Sequence, residues 1–244
     1  MQTLEQKQQL LQAAIENLYV EFSSYKLRAP VEGCSCCVNK NDQKPLAEKP
    51  LRQLEEDDLS LYAFKTMTTW GDEYDFKHFL PRILELLAMG HSLNFGADFL
   101  PSKLLYAEWQ TWPESEKIAV TNYLLAVWSY VLEGGETGDS DENWIACICQ
   151  VMDNATPFLR TWEEDISPHS CNVLLRFIDN FYTRPVNIQN RDWLKSDKVL
   201  QLFEQRFFEA KSEDQASSFA RVVDALTNFR YVAQLKENHE SPSN

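Results

Sequence analysis

The sequence predicts an all-α protein, built as an irregular array of about eight to ten helices. An α-solenoid-like (HEAT-like) arrangement is one form that such an array can take. Apolar residues recur at the three- and four-residue spacing of helices, and no run alternates with a period of two. Only 7 of the 244 residues are glycine, fewer than many tight β-turns require. No fixed repeat period is present. We expect one helical domain over residues 1–236 and a disordered tail over 237–244.

The N-terminal segment predicts one long helix with a single apolar face. The residues of this face are spaced as on a helix: Leu4, Leu11, Ile15, Leu18, Phe22 and Tyr25. Because the residue before a proline is pushed out of helical geometry, we expect the helix to end at Arg28–Pro30. Residues 30–50 contain three prolines and Gly33, and they predict a long irregular loop. Loops of this length are uncommon in compact domains and often carry function.

Further helices follow the apolar pattern along the chain. The acidic residues 55–58 suit a helix start, so we expect a helix over 59–67, ended by residues 68–71. The next helix opens at Asp72, and Pro81 either kinks it or begins a new helix. Short helices and turns are expected over 90–112. The remaining predicted helices span 114–132, 141–153, 170–183, 191–211 and 214–236.

The net charge of −14 lies in the middle of the chain. Residues 51–170 carry 21 acidic and 7 basic side chains, whereas the two kinds balance before and after this stretch. Nucleic-acid phosphates and anionic membranes attract clustered Lys and Arg, so neither is expected as the main partner. The acidity either keeps the protein soluble or forms a surface that binds a basic protein partner.

The chain reads as a cytoplasmic protein. Its first residues lack the continuous apolar core of a signal peptide, and the most apolar stretch, 118–132, is too short to cross a bilayer. We expect that stretch to be a buried helix. Cys147, Cys149 and Cys171 lie within helical patterns, which predicts buried, small apolar side chains.

The strongest candidate for chemistry is the cysteine cluster Cys34, Cys36 and Cys37. Cys34 and Cys37 form a C-x-x-C pair, a spacing that lets two thiolates bind one zinc ion or form a redox-active dithiol. Free thiols are the remaining alternative. A zinc site needs further ligands, and His78 or His91 supplies one only if the fold brings it close. A thioredoxin-like fold is not expected, because no strands are predicted. The predicted metal ligands are Cys34 and Cys37.

Asp75 and His78 form a second candidate, because they lie three positions apart on one helical face. A carboxylate beside an imidazole can orient a general base or help to bind a metal ion. An acidic helix start with a partly exposed histidine explains the same residues, and we favour that interpretation.

Residues 139–143 resemble the opening of an EF-hand calcium loop. Trp144 stands where that loop requires glycine, and Gln150 stands where it requires glutamate. We therefore expect Ser140 or Asp141 to cap a helix instead. The sequence also lacks the phosphate-binding, nucleotide-binding, hydrolase and metalloprotease signatures, so no catalytic residue is assigned.

The segment DFKHFLPRILELL runs from Asp75 to Leu87. Together with the Cys-x-Cys-Cys loop, it resembles a family of uncharacterised all-helical bacterial proteins over residues 34–130. No activity carries over from that family, so the resemblance implies a bacterial cytoplasmic protein and nothing about chemistry.

The sequence favours a non-enzymatic protein-interaction or scaffold module, because a helical array and an acidic middle come without a catalytic set. The alternative is a metal-binding protein or metalloenzyme that uses Cys34 and Cys37, for which zinc is one candidate ion. A third hypothesis is an enzyme that acts through Asp72, Asp75 and His78. It requires these three side chains to converge in a pocket.

Overall fold

The computed structural model describes residues 2–164, 167–181 and 188–240. Within these ranges the protein has twelve α-helices, two short 3₁₀ helices at Leu51–Gln53 and Trp109–Thr111, and no strand. The α-helices are α1 (Leu4–Glu21), α2 (Lys40–Glu48), α3 (Glu56–Lys65), α4 (Glu73–Ala88), α5 (Leu100–Tyr106), α6 (Glu114–Leu132), α7 (Asp141–Val151), α8 (Thr156–Glu164), α9 (Pro168–Asp179), α10 (Ile188–Lys195), α11 (Asp197–Phe208) and α12 (Glu213–Glu240). The predicted all-α class is confirmed.

The prediction of eight to ten helices is wrong, because short helices form where the local pattern is weak. α2 lies inside the stretch 30–50 that the sequence predicts as a loop. A capping box starts it: the Asn39 side chain accepts from the Asp42 N–H at 3.1 Å, and the Asp42 carboxylate accepts from the Asn39 N–H at 2.9 Å. α8 is absent from the predicted helices. Ser196 divides the predicted helix 191–211 into α10 and α11.

α1 ends at Glu21, so the expected end at Arg28–Pro30 is wrong. The buried residues of its apolar face are Leu11, Ile15, Leu18 and the capping residue Phe22. Beyond the helix the Tyr25 hydroxyl donates to Glu116 Oε1 at 2.6 Å, and the Phe22 ring packs edge-on against Trp112. The chain therefore leaves the helix before it reaches Pro30, at the point where Phe22 and Tyr25 make these long-range contacts.

The helices fall into two compact units. The N-terminal unit comprises residues 2–131 and 135–151, and 12 of the 16 residues of its helix α4 are buried. α1 and α3 pack against α4. α4 continues through Pro81, so this proline does not begin a new helix. The expectation of a single domain over 1–236 stays a prediction.

The C-terminal unit comprises residues 132–134 and the described residues from 152 onward. α9 and α11 both pack against α12. The buried positions of α12 follow the predicted apolar stripe: Phe219, Val222, Leu226, Phe229 and Ala233. The tail predicted over 237–244 begins within α12, which ends at Glu240, and residues 241–244 lie outside the described ranges.

α6 begins and ends where the sequence predicts, at Glu114 and Leu132. The buried side chains of this helix include Ala119, Val120, Tyr123, Leu124, Val127 and Trp128. Across the described residues, no helix combines the length and the apolar character needed to span a membrane.

Phe79 of α4 is fully buried, with its ring centroid 4.5 Å from that of Tyr62. Because Phe79→Ala leaves a cavity, we expect it to lower the free energy of unfolding by about 3–5 kcal/mol. Urea unfolding followed by circular dichroism measures the change. Phe208→Ala removes a ring that is 82% exposed, and this control should shift the free energy by less than about 0.5 kcal/mol. Equal losses in the two variants would contradict the buried position of Phe79.

Candidate metal centre and adjoining cleft

A tight turn brings the three N-terminal cysteines together. The N–H groups of Cys37 and Val38 both donate to the Cys34 carbonyl oxygen at 2.9 Å. The three sulfur atoms all lie within 4.8 Å of one another, with 2.9 Å between Cys34 and Cys36 and 3.5 Å between Cys36 and Cys37. Cys34 and Cys36 are exposed and Cys37 is partly exposed. Lys65 Nζ donates to the Cys37 carbonyl and ties the turn to the end of α3.

Main-chain pairing fixes this turn against the segment that precedes α4. The Cys34 N–H donates to the Thr69 carbonyl at 2.8 Å, and the Gly71 N–H donates to the Glu32 carbonyl at 2.6 Å. Gly33 pairs with Trp70 between these bonds. A Cβ atom on Gly33 would stand 3.2 Å from Trp70 Cδ1, so the close approach of the two segments favours glycine at this position.

Acidic residues at the start of α4 hold Arg28 beside the cysteine turn. Asp72 caps α4 by accepting from the Asp75 N–H at 3.1 Å. Arg28 Nε donates to Asp75 Oδ1 at 3.0 Å, and Arg28 Nη2 contacts both Asp72 and Asp75. Burial raises the pKa of Asp72, but the hydrogen bonds from the Asp75 N–H and from Arg28 outweigh it, so this pKa lies below its usual value.

A cleft of about 550 Å³ joins the two candidate sites. Its lining includes Arg28, Glu32, Cys34, Trp70 and Asp72. Trp70 is 1% exposed, and its Nε1 donor has no hydrogen-bond partner among the described residues. The cleft therefore offers a thiol and an excess of carboxylates, whereas the indole N–H of Trp70 is buried.

The histidines lie elsewhere. His78 Nδ1 is 2.8 Å from the Tyr25 carbonyl oxygen, which can only accept, so the ring donates there. Burial lowers the pKa of His78, which keeps the ring neutral at neutral pH. His91 Nδ1 lies 3.1 Å from Glu56 Oε2. Within the described residues, the only cluster of three or more potential metal ligands is the cysteine cluster, so neither histidine completes it.

The hypothesis of a catalytic group requires Asp72, Asp75 and His78 to converge in a pocket, but only the two aspartates lie at the cleft. Asp72 and Asp75 line it, but both are engaged with Arg28 and with the helix start. The imidazole donates to the main chain at Tyr25 and is not bonded to either carboxylate.

One thiol of the cluster ionises far more readily than its neighbour. The hydrogen bond from the Cys36 side chain is the main cause that lowers the pKa of Cys34 to about 7, from an ordinary value of 9.0. The same contact raises the pKa of Cys36 to about 11. At neutral pH, Cys34 therefore supplies a thiolate more readily than Cys36 does.

The other cysteines and the EF-hand-like segment have structural surroundings. Cys147, Cys149 and Cys171 are buried, as predicted, and burial raises the pKa of Cys147. Asp139 Oδ1 accepts from the Asn143 side chain at 2.8 Å. The Ser140 hydroxyl accepts from the Asn143 N–H at 3.2 Å, so Ser140 caps α7.

Sequence patterns did not assign three features of the site. The sulfur atom of Cys36 belongs to the same cluster as those of Cys34 and Cys37. The C-x-C-C spacing is the sequence signal that could have identified Cys36 as a third metal ligand. Arg28 and Trp70 reach the cleft through pairing between segments that are distant in sequence, so no local pattern marks them. The chain matches no protein-family model, no curated protein and no solved structure.

The lowered pKa of Cys34 predicts a titration step near pH 7, which the ultraviolet absorbance of the thiolate measures. Cys34→Ser should remove this step. Cys36→Ala removes the largest cause of the shift, so the midpoint should rise toward 9.0. Ser35→Ala, between the two cysteines, is the control and should leave the midpoint unchanged. A wild-type midpoint at the ordinary value would contradict the thiol contact.

Proposed function

We propose that the protein binds a soft metal ion, with zinc as the first candidate, through the thiolates of Cys34, Cys36 and Cys37. The observation that carries the proposal is the distance of at most 4.8 Å among the three sulfur atoms. In the C-terminal half of the protein the cysteines are buried in helices, whereas these three share one accessible turn.

The sulfur spacing suits a single ion. Two sulfur atoms bound to one zinc at about 2.3 Å lie about 3.8 Å apart when the geometry is tetrahedral. The Cys36–Cys37 separation of 3.5 Å is close to this value, and the Cys34–Cys36 separation of 2.9 Å has to widen. Both of the latter side chains are exposed, so rotation about their Cα–Cβ bonds provides the change.

The charge of the adjoining cleft also favours a cation, although the Lys65 ammonium group lies against the Cys37 carbonyl of the turn itself. Glu32, Asp72 and Asp75 line the cleft beside Cys34, and Arg28 is the one basic side chain among the lining residues. Thiolate ligands select soft ions such as Zn²⁺ and Cu⁺ over Mg²⁺ and Ca²⁺, which prefer oxygen. With three protein ligands, the fourth position on zinc is left to water or to an exogenous ligand.

Several wider features belong to the same proposal. The protein acts in the cytoplasm of a bacterium, and its helices follow a solenoid-like path. It binds neither nucleic acid nor membranes. The all-helical fold supports the helical path, the acidic stretch 51–170 supports the exclusion of nucleic acid and anionic membranes, and the bacterial and cytoplasmic setting rests on the resemblance over residues 34–130.

The metal site predicts about one zinc ion per chain in protein that is purified without a tag and kept reduced. Competition with a chelating dye measures the affinity. Cys34→Ser, Cys36→Ser and Cys37→Ser each remove one thiolate, so each should weaken zinc binding by more than about tenfold. Ser35→Ala keeps all three ligands and is the matched control.

Circular dichroism establishes that each variant is folded. A parallel titration with Cu⁺ distinguishes a zinc site from a copper site, and binding of either ion that depends on the three cysteines supports the proposal. Wild-type occupancy below about 0.2 ion per chain for both metals, or affinity that is unchanged in all three cysteine variants, would overturn it.

A second candidate function, a protein-interaction module that binds a basic partner, is favoured by an aromatic pair on the N-terminal unit. Phe64 is 54% exposed and Phe95 is 38% exposed, and their rings stack with centroids 4.9 Å apart. Glu55, Glu56 and Asp57 lie at the start of α3, the helix that carries Phe64. The acidic start of α3 lies about 12 Å from Phe64, at the other end of the helix, so the two features together suit a segment with one large apolar side chain and basic residues about two helical turns away from it.

The interaction function predicts a reproducible basic partner in a pull-down from the native host. Phe64→Ala removes the stacked pair and should reduce recovery of that same partner. Salt at about 0.5 M shortens the Debye length below about 5 Å, so it screens the charges and should reduce recovery as well. Phe208→Ala is the control, because Phe208 is exposed on the other unit. Recovery of no reproducible partner, or recovery that is insensitive to Phe64, would contradict this function.

A further inference from the structure

We propose that Cys34 and Cys37 also form a reactive dithiol that reduces small, positively charged disulfides bound in the adjoining cleft. This activity goes beyond metal binding, since it belongs to the reduced protein without metal. It depends on the turn, the cleft and the charges that line the cleft.

The turn places the two thiols for disulfide formation. A disulfide requires Cα atoms within about 7 Å, and a four-residue turn holds its first and last Cα atoms within that distance. The hydrogen bond from the Cys37 N–H to the Cys34 carbonyl closes such a turn. Cys34 is among the lining residues of the cleft and Cys37 is not, so Cys34 is the attacking thiol and Cys37 the resolving thiol.

The cleft has room for a small substrate. Its volume of about 550 Å³ lies within the range of small-molecule sites, about 300–1,000 Å³. Trp70 lies in the lining with its Nε1 donor unpartnered, although the residue is only 1% exposed.

The charges of the lining select the substrate. Glu32, Asp72 and Asp75 contribute three carboxylates, and Arg28 contributes one guanidinium that is paired with Asp72 and Asp75. Glu32 is exposed and stands outside this ion cluster. A disulfide with ammonium groups is therefore attracted to the cleft, and a disulfide with carboxylates is repelled.

The reaction takes two exchange steps. The Cys34 thiolate attacks one sulfur of the disulfide RS–SR, forming the Cys34–S–SR bond and releasing RS⁻, which takes up a proton. The Cys37 thiolate then attacks Cys34 Sγ, which forms the Cys34–Cys37 disulfide and releases the second RS⁻. The protein dithiol is oxidised by two electrons, and the small disulfide is reduced to two thiols. An external dithiol returns the protein to its reduced form by the reverse exchange.

The substrate preference is tested with cystamine, which carries two ammonium groups, and dithiodiglycolate, which carries two carboxylates. Each rate with reduced, metal-free protein is divided by the rate of the same disulfide with a neutral model thiol. At low salt, the normalised rate for cystamine should exceed that for dithiodiglycolate by about tenfold, and added salt should reduce this ratio. Glu32→Gln removes one charge and should lower the ratio by about threefold. A ratio near one at low salt would overturn the charge selection.

The roles of the thiols are tested by mass spectrometry of the same reactions. Wild-type protein should release two thiols per chain and end two mass units lighter through one disulfide. Cys37→Ser should stop at the Cys34 mixed disulfide, Cys34→Ser should lose the charge-selective reaction, and Cys36→Ser should still release two thiols. Three independent mixed disulfides in the wild type, or an unchanged reaction in Cys34→Ser, would overturn the dithiol assignment whether or not the protein binds zinc.

Discussion

The main-chain pairing of residues 32–34 with residues 69–71 is the contact on which the candidate site depends. The Cys34 N–H meets the Thr69 carbonyl, and the Gly71 N–H meets the Glu32 carbonyl, so no side-chain group is needed to join the two segments. Trp70 lies between these bonds, buried edge-on against Tyr62 with ring centroids 5.4 Å apart. The accessible cysteine turn is thereby attached to the buried part of the N-terminal unit, beside the acidic start of α4.

This attachment gives the thiols an unusual electrostatic setting. Thiolates are commonly stabilised by nearby basic groups, but here the lining next to Cys34 holds three carboxylates and one guanidinium. The Cys34 thiolate is stabilised chiefly by hydrogen bonding within the cluster, with Cys36 as the main donor. Thiolate ligands beside a cleft with more carboxylates than basic groups suit a metal cation, and they suit a cationic disulfide for the same reason. Both would use Cys34, so zinc bound at the turn and disulfides in the cleft compete for one sulfur atom.

The sequence patterns succeeded where local signals decide the structure. Asp72 caps the start of α4, and the glycines after Leu132 follow the end of α6, because capping and chain-breaking residues act within a few positions. The sequence patterns failed where a helix-capping signal was weaker than a nearby helix-breaking signal. The prolines of residues 30–50 predicted a loop, although the capping box at Asn39 starts α2.

The site itself was only half predictable. Cys34 and Cys37 stand out by their spacing, and Asp72 stands out as a helix start. The meeting of these two segments comes from main-chain hydrogen bonds between Cys34 and Thr69, and any residue except proline can donate such a bond. Composition and periodicity therefore carry no trace of the pairing. The cleft and the contribution of Trp70 follow from it, and they emerge only from the fold.

X-ray absorption at the zinc edge tests the central claim, a three-thiolate metal site, most directly. Reduced protein loaded with one equivalent of zinc should show three sulfur neighbours at about 2.3 Å and one lighter atom at about 2.0–2.1 Å. Cys36→Ser should lower the number of sulfur neighbours to two. A first coordination layer of nitrogen and oxygen atoms alone would contradict the proposed centre.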